Sequence, residues 1–115
     1  MREKPRDPSR LQHMLHAISK VEEFLEGKTR DDFTSDSLLF YGVVKNIEII
    51  GEAAYMLTQE FRESHPLTPW RQIAGMRHFL VHGYYQVDAS EVWNVAQKDL
   101  QPLRIQITEY LKELN

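Results

Sequence analysis

Between Ser37 and Ser64 the apolar residues return every three or four positions: Phe40, Val43, Val44, Ile47, Ile50, Ala54, Leu57 and Phe61. Lys45, Glu48, Glu52, Gln59 and Glu63 take most of the opposite side. That period is the α-helix's own, and over so long a run it leaves room for little else. At about 1.5 Å per residue an unbroken helix over 37–64 would be roughly 40 Å long. It shows more apolar face than one short partner helix can cover, which points to a second chain. Gly42 and Gly51 inside it would each cost ~1 kcal/mol against alanine, and close approach of a neighbouring helix would offset that.

The same period runs through the rest of the chain. Ser9 suits an N-cap for a helix carrying Leu11, Met14 or Leu15, Ile18, Val21 or Glu22, and Leu25, with Gly27 placed to stop it. Residues 28–36 read as a connector with room for one helical turn, and Asp36 or Ser35 caps the long helix. Thr68 followed by Pro69 reads as a cap and a first-turn proline. They open a short helix to about Val81, with Gly83 where a C-terminal glycine belongs. Asp88 and Glu91 have the form of a capping box for a last helix reaching Leu114. There Val92, Val95 or Ala96, Leu100, Leu103, Ile107 and Leu111 face the core, and Pro102 should kink or interrupt the helix near Lys98–Asp99. No stretch alternates like a strand and nothing repeats. The expected fold is all-α, a four- to five-helix up-and-down bundle with one long helix. Residues 1–8 are expected to form a flexible tail and residues 9–115 a single helical domain.

Composition narrows the function. Of 115 residues none is cysteine, which removes disulfides, thiolate chemistry and cysteine-based zinc sites. The first ten residues lack the apolar core of a signal peptide, and no apolar run approaches the ~18 residues of a membrane span. A cytoplasmic protein without a membrane partner is the expectation. The net charge of −3 argues against non-specific nucleic-acid binding. Its distribution is uneven, however. From Arg62 to Val87 three arginines stand against one acid, Glu63, a local balance of +2, and three of the five histidines fall there. An anion would be drawn to this segment.

Four features carry candidate chemistry. His78-x3-His82 puts two imidazoles on one helix face, but two ligands are too few for a metal, and His65 would join them only by the accident of folding. His13-x2-His16 reads as solvated or half-buried histidines. Glu52 lies on the polar stripe of the long helix, as a solvated residue or as the partner of a nearby arginine. The fourth feature is Arg77-x4-His82-x-Tyr84 in "MRHFLVHGYY". Five residues span about 140° of an ideal helix, so Arg77 and His82 converge only if the helix ends near His82. The plain reading is a helix end: a histidine near the negative dipole terminus, a glycine cap and packing tyrosines. The chemical reading pairs a proton carrier with a fixed, forked cation. Without metal or carboxylate that pair suits phosphodiester chemistry in which RNA supplies its own 2′-hydroxyl nucleophile. A two-sided acid–base mechanism wants two such groups, and a symmetric dimer would bring both.

At these residues the chain resembles a known family. Arg77-x4-His82-x-Tyr84 matches the R-x4-H-x-Y signature of the HepT-type toxins of the HEPN superfamily. "IIGEAA", "HPLTPWRQIAGMRHFLVHGYYQVD" and "VWNVAQKDLQPL" resemble it in order and spacing, so the likeness covers roughly residues 9–112. The resemblance implies a HEPN-like homodimer with two motifs facing across a cleft. It implies a metal-independent endoribonuclease, the toxin of a toxin–antitoxin pair, cutting transfer or messenger RNA and needing no cofactor. By position Arg77 and His82 would be the catalytic pair. His78, where the family often has asparagine, and Glu52 would support them. Tyr84 would be the residue that a cognate MntA-type nucleotidyltransferase antitoxin modifies with AMP. Phosphate charge two residues from His82 would repel RNA. Neither metal nor DNA is expected as a partner. The rival expectation is a non-catalytic helical dimer that binds a nucleotidyltransferase or a nucleotide.

Overall fold

The computed structural model describes residues 6–82 and 88–114, with residues 77–82 in backbone only. Seven α-helices follow one another: α1 (Asp7–Leu25), α2 (Arg30–Ser35), α3 (Ser37–Met56), α4 (Gln59–Ser64), α5 (Trp70–His82), α6 (Ala89–Asn94) and α7 (Leu100–Leu114). A π-helical turn, Val95–Asp99, joins the last two. Among the described residues there is no strand. The all-α expectation holds.

The helices pack in spatial order α5, α3, α1, α7, with α3 laid between α1 and α5. Leu11, Met14, Ile18 and Val21 of α1 meet Val43, Ile47 and Ile50 of α3 and Leu100, Leu103 and Ile107 of α7 in one buried core. Phe33 of α2 closes one end, fully buried between Phe40 and Trp93 at centroid distances of 5.7 and 5.8 Å. A Cβ on Gly42 would meet the Phe24 ring of α1 at 3.4 Å, an ordinary van der Waals contact. Arg104 of α7 grips Glu22 of α1 with two guanidinium nitrogens and reaches Ser19 Oγ at 3.0 Å.

The short helix expected in the connector is α2. Thr29 and Asp32 cap it reciprocally, each side chain on the other's backbone N–H. Asp36 caps α3 by accepting from the Leu39 N–H at 3.1 Å, and Gly27 takes the left-handed φ of 74° that ends α1.

Three boundaries differ from expectation. The first helix starts at Asp7 and not after Ser9, so Asp7 and Pro8 leave the expected tail. The reason lies across the bundle, where the Asp7 carboxylate accepts from Thr58 N at 2.9 Å and Thr58 Oγ1 at 2.7 Å. That contact also marks the second difference. The expected helix over 37–64 breaks at Leu57–Thr58, both with extended backbone. The Thr58 hydroxyl accepts from Phe61 N at 3.1 Å and starts a new helix. The helix α3 is therefore about 30 Å long. Leu57 and Phe61 stay buried through the break, which is why the apolar period runs on unbroken. Third, Thr68 does not cap α5. Its side chain is buried and spends its hydroxyl elsewhere, donating to Gln106 Oε1 at 2.5 Å and bonding Tyr110 OH at 2.6 Å.

The interruption expected at Lys98–Asp99 is the π turn. Pro102 has no N–H to offer the Lys98 carbonyl four residues back, and the helix widens just before it. Asp88 caps α6 by accepting from Ser90 N at 2.9 Å.

Candidate active site

The helix α5 carries the motif. It begins deep in the bundle with Trp70, 5% exposed, and runs beside α3 to His82. Arg77, His78 and His82 lie on its C-terminal half. Their side chains, and Tyr84 with the cap expected at Gly83, lie outside the described residues. The backbone remains helical to His82, one residue past the expected end. On such a helix Arg77 and His82 stand about 140° apart, whereas His78 and His82 stand about 40° apart.

The anchoring of α5 is legible at its other end. Trp70 Nε1 donates to the His65 carbonyl at 2.9 Å, and its ring lies 5.9 Å from Phe61 and 6.1 Å from Tyr110. The His65 ring stacks on Phe61 at 4.0 Å and meets the edge of Tyr110 at 4.6 Å. His65 Nδ1 lies 2.9 Å from the Phe61 carbonyl, and Nε2 lies 3.0 Å from Glu113 Oε1. Both partners accept, so both nitrogens are best used as donors. Burial pushes the imidazole pKa down, but the Glu113 carboxylate and the Phe61 carbonyl push it up further. The balance lies above the ordinary 6.5. Both ring nitrogens of His65 are thus engaged within the bundle. Among the described residues no three histidine, aspartate or glutamate side chains gather to hold a metal ion.

Glu52 sits on the exposed side of α3. It lines a hollow of about 300 Å³ together with Arg10, His13, Lys45 and Glu48. Of the solvated and half-buried alternatives for His13 and His16, the structure shows the first: both are exposed. Two features escaped the sequence reading. The His65–Glu113 pair joins residues far apart in the chain, and no local spacing announces it. Arg62 is the other. It was counted as charge, yet its Nε is buried and meets no hydrogen-bond partner among the described residues.

The comparisons agree with one another on the chain's kinship. The sequence model of the ribonuclease HepT-like family matches residues 14–110. A Methanocaldococcus jannaschii protein named "Gamma-glutamylcyclotransferase and putative RNase" is 40% identical over 105 residues, 91% of this chain and 47% of that protein. The chain thus spans about half the length of that relative. A "Putative RNase" of Caldanaerobacter subterraneus subsp. tengcongensis is 38% identical over 103 residues, 90% of this chain and 92% of its own. A "Probable ribonuclease HepT" of Thermococcus cleftensis is 35% identical over 94 residues, 82% of this chain and 86% of its own. No solved structure matches the chain.

Proposed function

This chain belongs to the HepT-like ribonuclease family, and from that premise we propose that it is a metal-independent endoribonuclease toxin acting as a homodimer. The observation that carries the reading is the placing of Arg77, His78 and His82 together on the C-terminal half of α5, in a segment whose one acid is the distant Glu63. In the proposed step the RNA 2′-oxygen bonds to phosphorus as the bond to the 5′-oxygen breaks. One His82 takes the 2′-hydroxyl proton, and the second copy's His82 gives a proton to the leaving oxygen. Arg77 neutralises charge on the five-coordinate phosphorus. His78 and Glu52 act in support. The target is transfer or messenger RNA, in the cytoplasm.

The 140° between Arg77 and His82 on one helix favours a site completed by a second copy. The surface of α3 supports the same dimer. Leu38, Tyr41 and Met56 are exposed at its two ends, with Lys45, Glu48 and Glu52 between. Regulation follows the same chemistry. AMP placed on Tyr84 by a partner nucleotidyltransferase would set phosphate charge beside His82 and repel substrate.

Cleavage of RNA by the purified protein in EDTA tests this, wild type beside His82→Ala and Arg77→Ala. Cutting by the wild type and its loss in both variants is the expected result. A requirement for added metal, or full activity in both variants, would overturn it.

A further inference from the structure

Where α3, α4 and α5 meet, an open hollow of about 690 Å³ is walled by Tyr55, Trp70 and Ala74 and edged by Arg62 and Arg71. The catalytic reading gives it no task. Its electrostatics nevertheless ask for an anion. Arg62 Nε is buried and meets no acceptor among the described residues, and a desolvated N–H left unpaired is costly. Arg71 is exposed on the rim, and the first turn of α5 holds no acid. The acid that does line the hollow, Glu63, accepts from Gln59 Nε2 at 2.8 Å and is thereby engaged. Position adds to charge. Arg71, His78 and His82 recur at spacings of seven and eleven residues, within about 20° of one line along an ideal helix. Arg71 at the rim thus shares a helical line with positions 78 and 82, roughly 10 to 17 Å away along the axis.

We propose that this hollow is a flanking-nucleotide subsite, in which Arg62 and Arg71 hold a backbone phosphate of single-stranded RNA and the apolar wall takes the adjoining base. The proposal rests on the ribonuclease reading for its ligand class. A forked cation beside an aromatic wall is what a base and its phosphate need together. An acidic peptide would use the arginines but would bring no flat ring for the wall.

A labelled 12-nucleotide 2′-O-methyl RNA tests it, since that chain has no free 2′-hydroxyl and binds without being cut. Its affinity is followed by fluorescence anisotropy across a salt series. For the Arg62→Gln, Arg71→Gln double variant the expected result is affinity about tenfold weaker. The slope of log K against log salt should be shallower by about 0.7, the share of one phosphate contact on a single strand. Arg71→Gln alone, at an exposed position, should show part of the same loss. Arg62→Lys, which keeps the charge and removes the fork, should fall between, with thermal unfolding recorded for each. Unchanged affinity and slope in a folded double variant would overturn the subsite. So would failure of the wild type to bind the RNA, or a twelve-residue glutamate peptide that binds more tightly and is released by the same substitutions. If the wild type cuts no RNA yet binds this one and the variants release it, the subsite stands and the ribonuclease reading falls.

Discussion

At its N-terminal end α5 is held by rings and hydrogen bonds: Trp70 on the His65 carbonyl, His65 on Phe61 and Glu113, Thr68 on Gln106 and Tyr110. At its C-terminal end, from Arg77 to His82, the same helix carries the residues suited to phosphodiester chemistry and no acid to neutralise them. The anchor and the proposed site thus lie on one element about three turns apart. A helix fixed firmly at one end can present its other end with little loss of position, which is what a site made of few residues requires. It follows that substitutions at the first end should act on stability and those at the second on cleavage.

The sharpest way to break that division is Trp70→Ala. The ring is 5% exposed and packed among Phe61, Tyr110 and the His65 backbone, so about 3–5 kcal/mol of stability should be lost in urea unfolding. A variant with wild-type stability would show that the aromatic cluster anchors nothing. Next in size is Thr58→Ala. It removes the hydroxyl that caps α4 and meets Asp7, and about 1–2 kcal/mol should go. Asp7→Ala should lose a comparable part, and the two losses should not add, since they share one contact.

The smallest effect is in pH. The folded-state pKa of His65 is raised. Its contribution to stability is therefore fully present below the unfolded value near 6.5 and is lost as pH rises through the folded one. Unfolding free energies of wild type and His65→Gln should differ more at pH 5.5 than at pH 8.5. A difference that grows with pH would contradict a charged His65 held by Glu113.

Much of this was legible in the sequence because helices announce their faces. The core positions Leu11, Met14, Ile18, Val43, Ile47, Ile50, Leu103 and Ile107 fell where the period put them, and Pro102 marked its own interruption. The break at Thr58 was not legible. Leu57 and Phe61 keep the period across it, and the partner that stabilises it, Asp7, is remote in the chain. Thr68 misled for a related reason. Threonine before proline is a local cap signal, but a buried hydroxyl that can reach Gln106 and Tyr110 has a better use. At the site the motif could be read as residues in a row. What lies beside it, the buried Arg62 Nε above all, is a property of packing that no spacing encodes.

The central claim is that the C-terminal end of α5 becomes a site when two copies meet, each lending a His82. Subunit exchange tests it most directly. Wild-type protein is mixed with an equal amount of folded His82→Ala protein, and RNA cleavage in EDTA is followed as chains exchange. A site that needs both histidines leaves hybrids inactive, so cleavage should fall to about half that of the wild type alone. Cleavage that stays at the wild-type level after exchange is complete would mean that each copy works by itself, and would contradict the account.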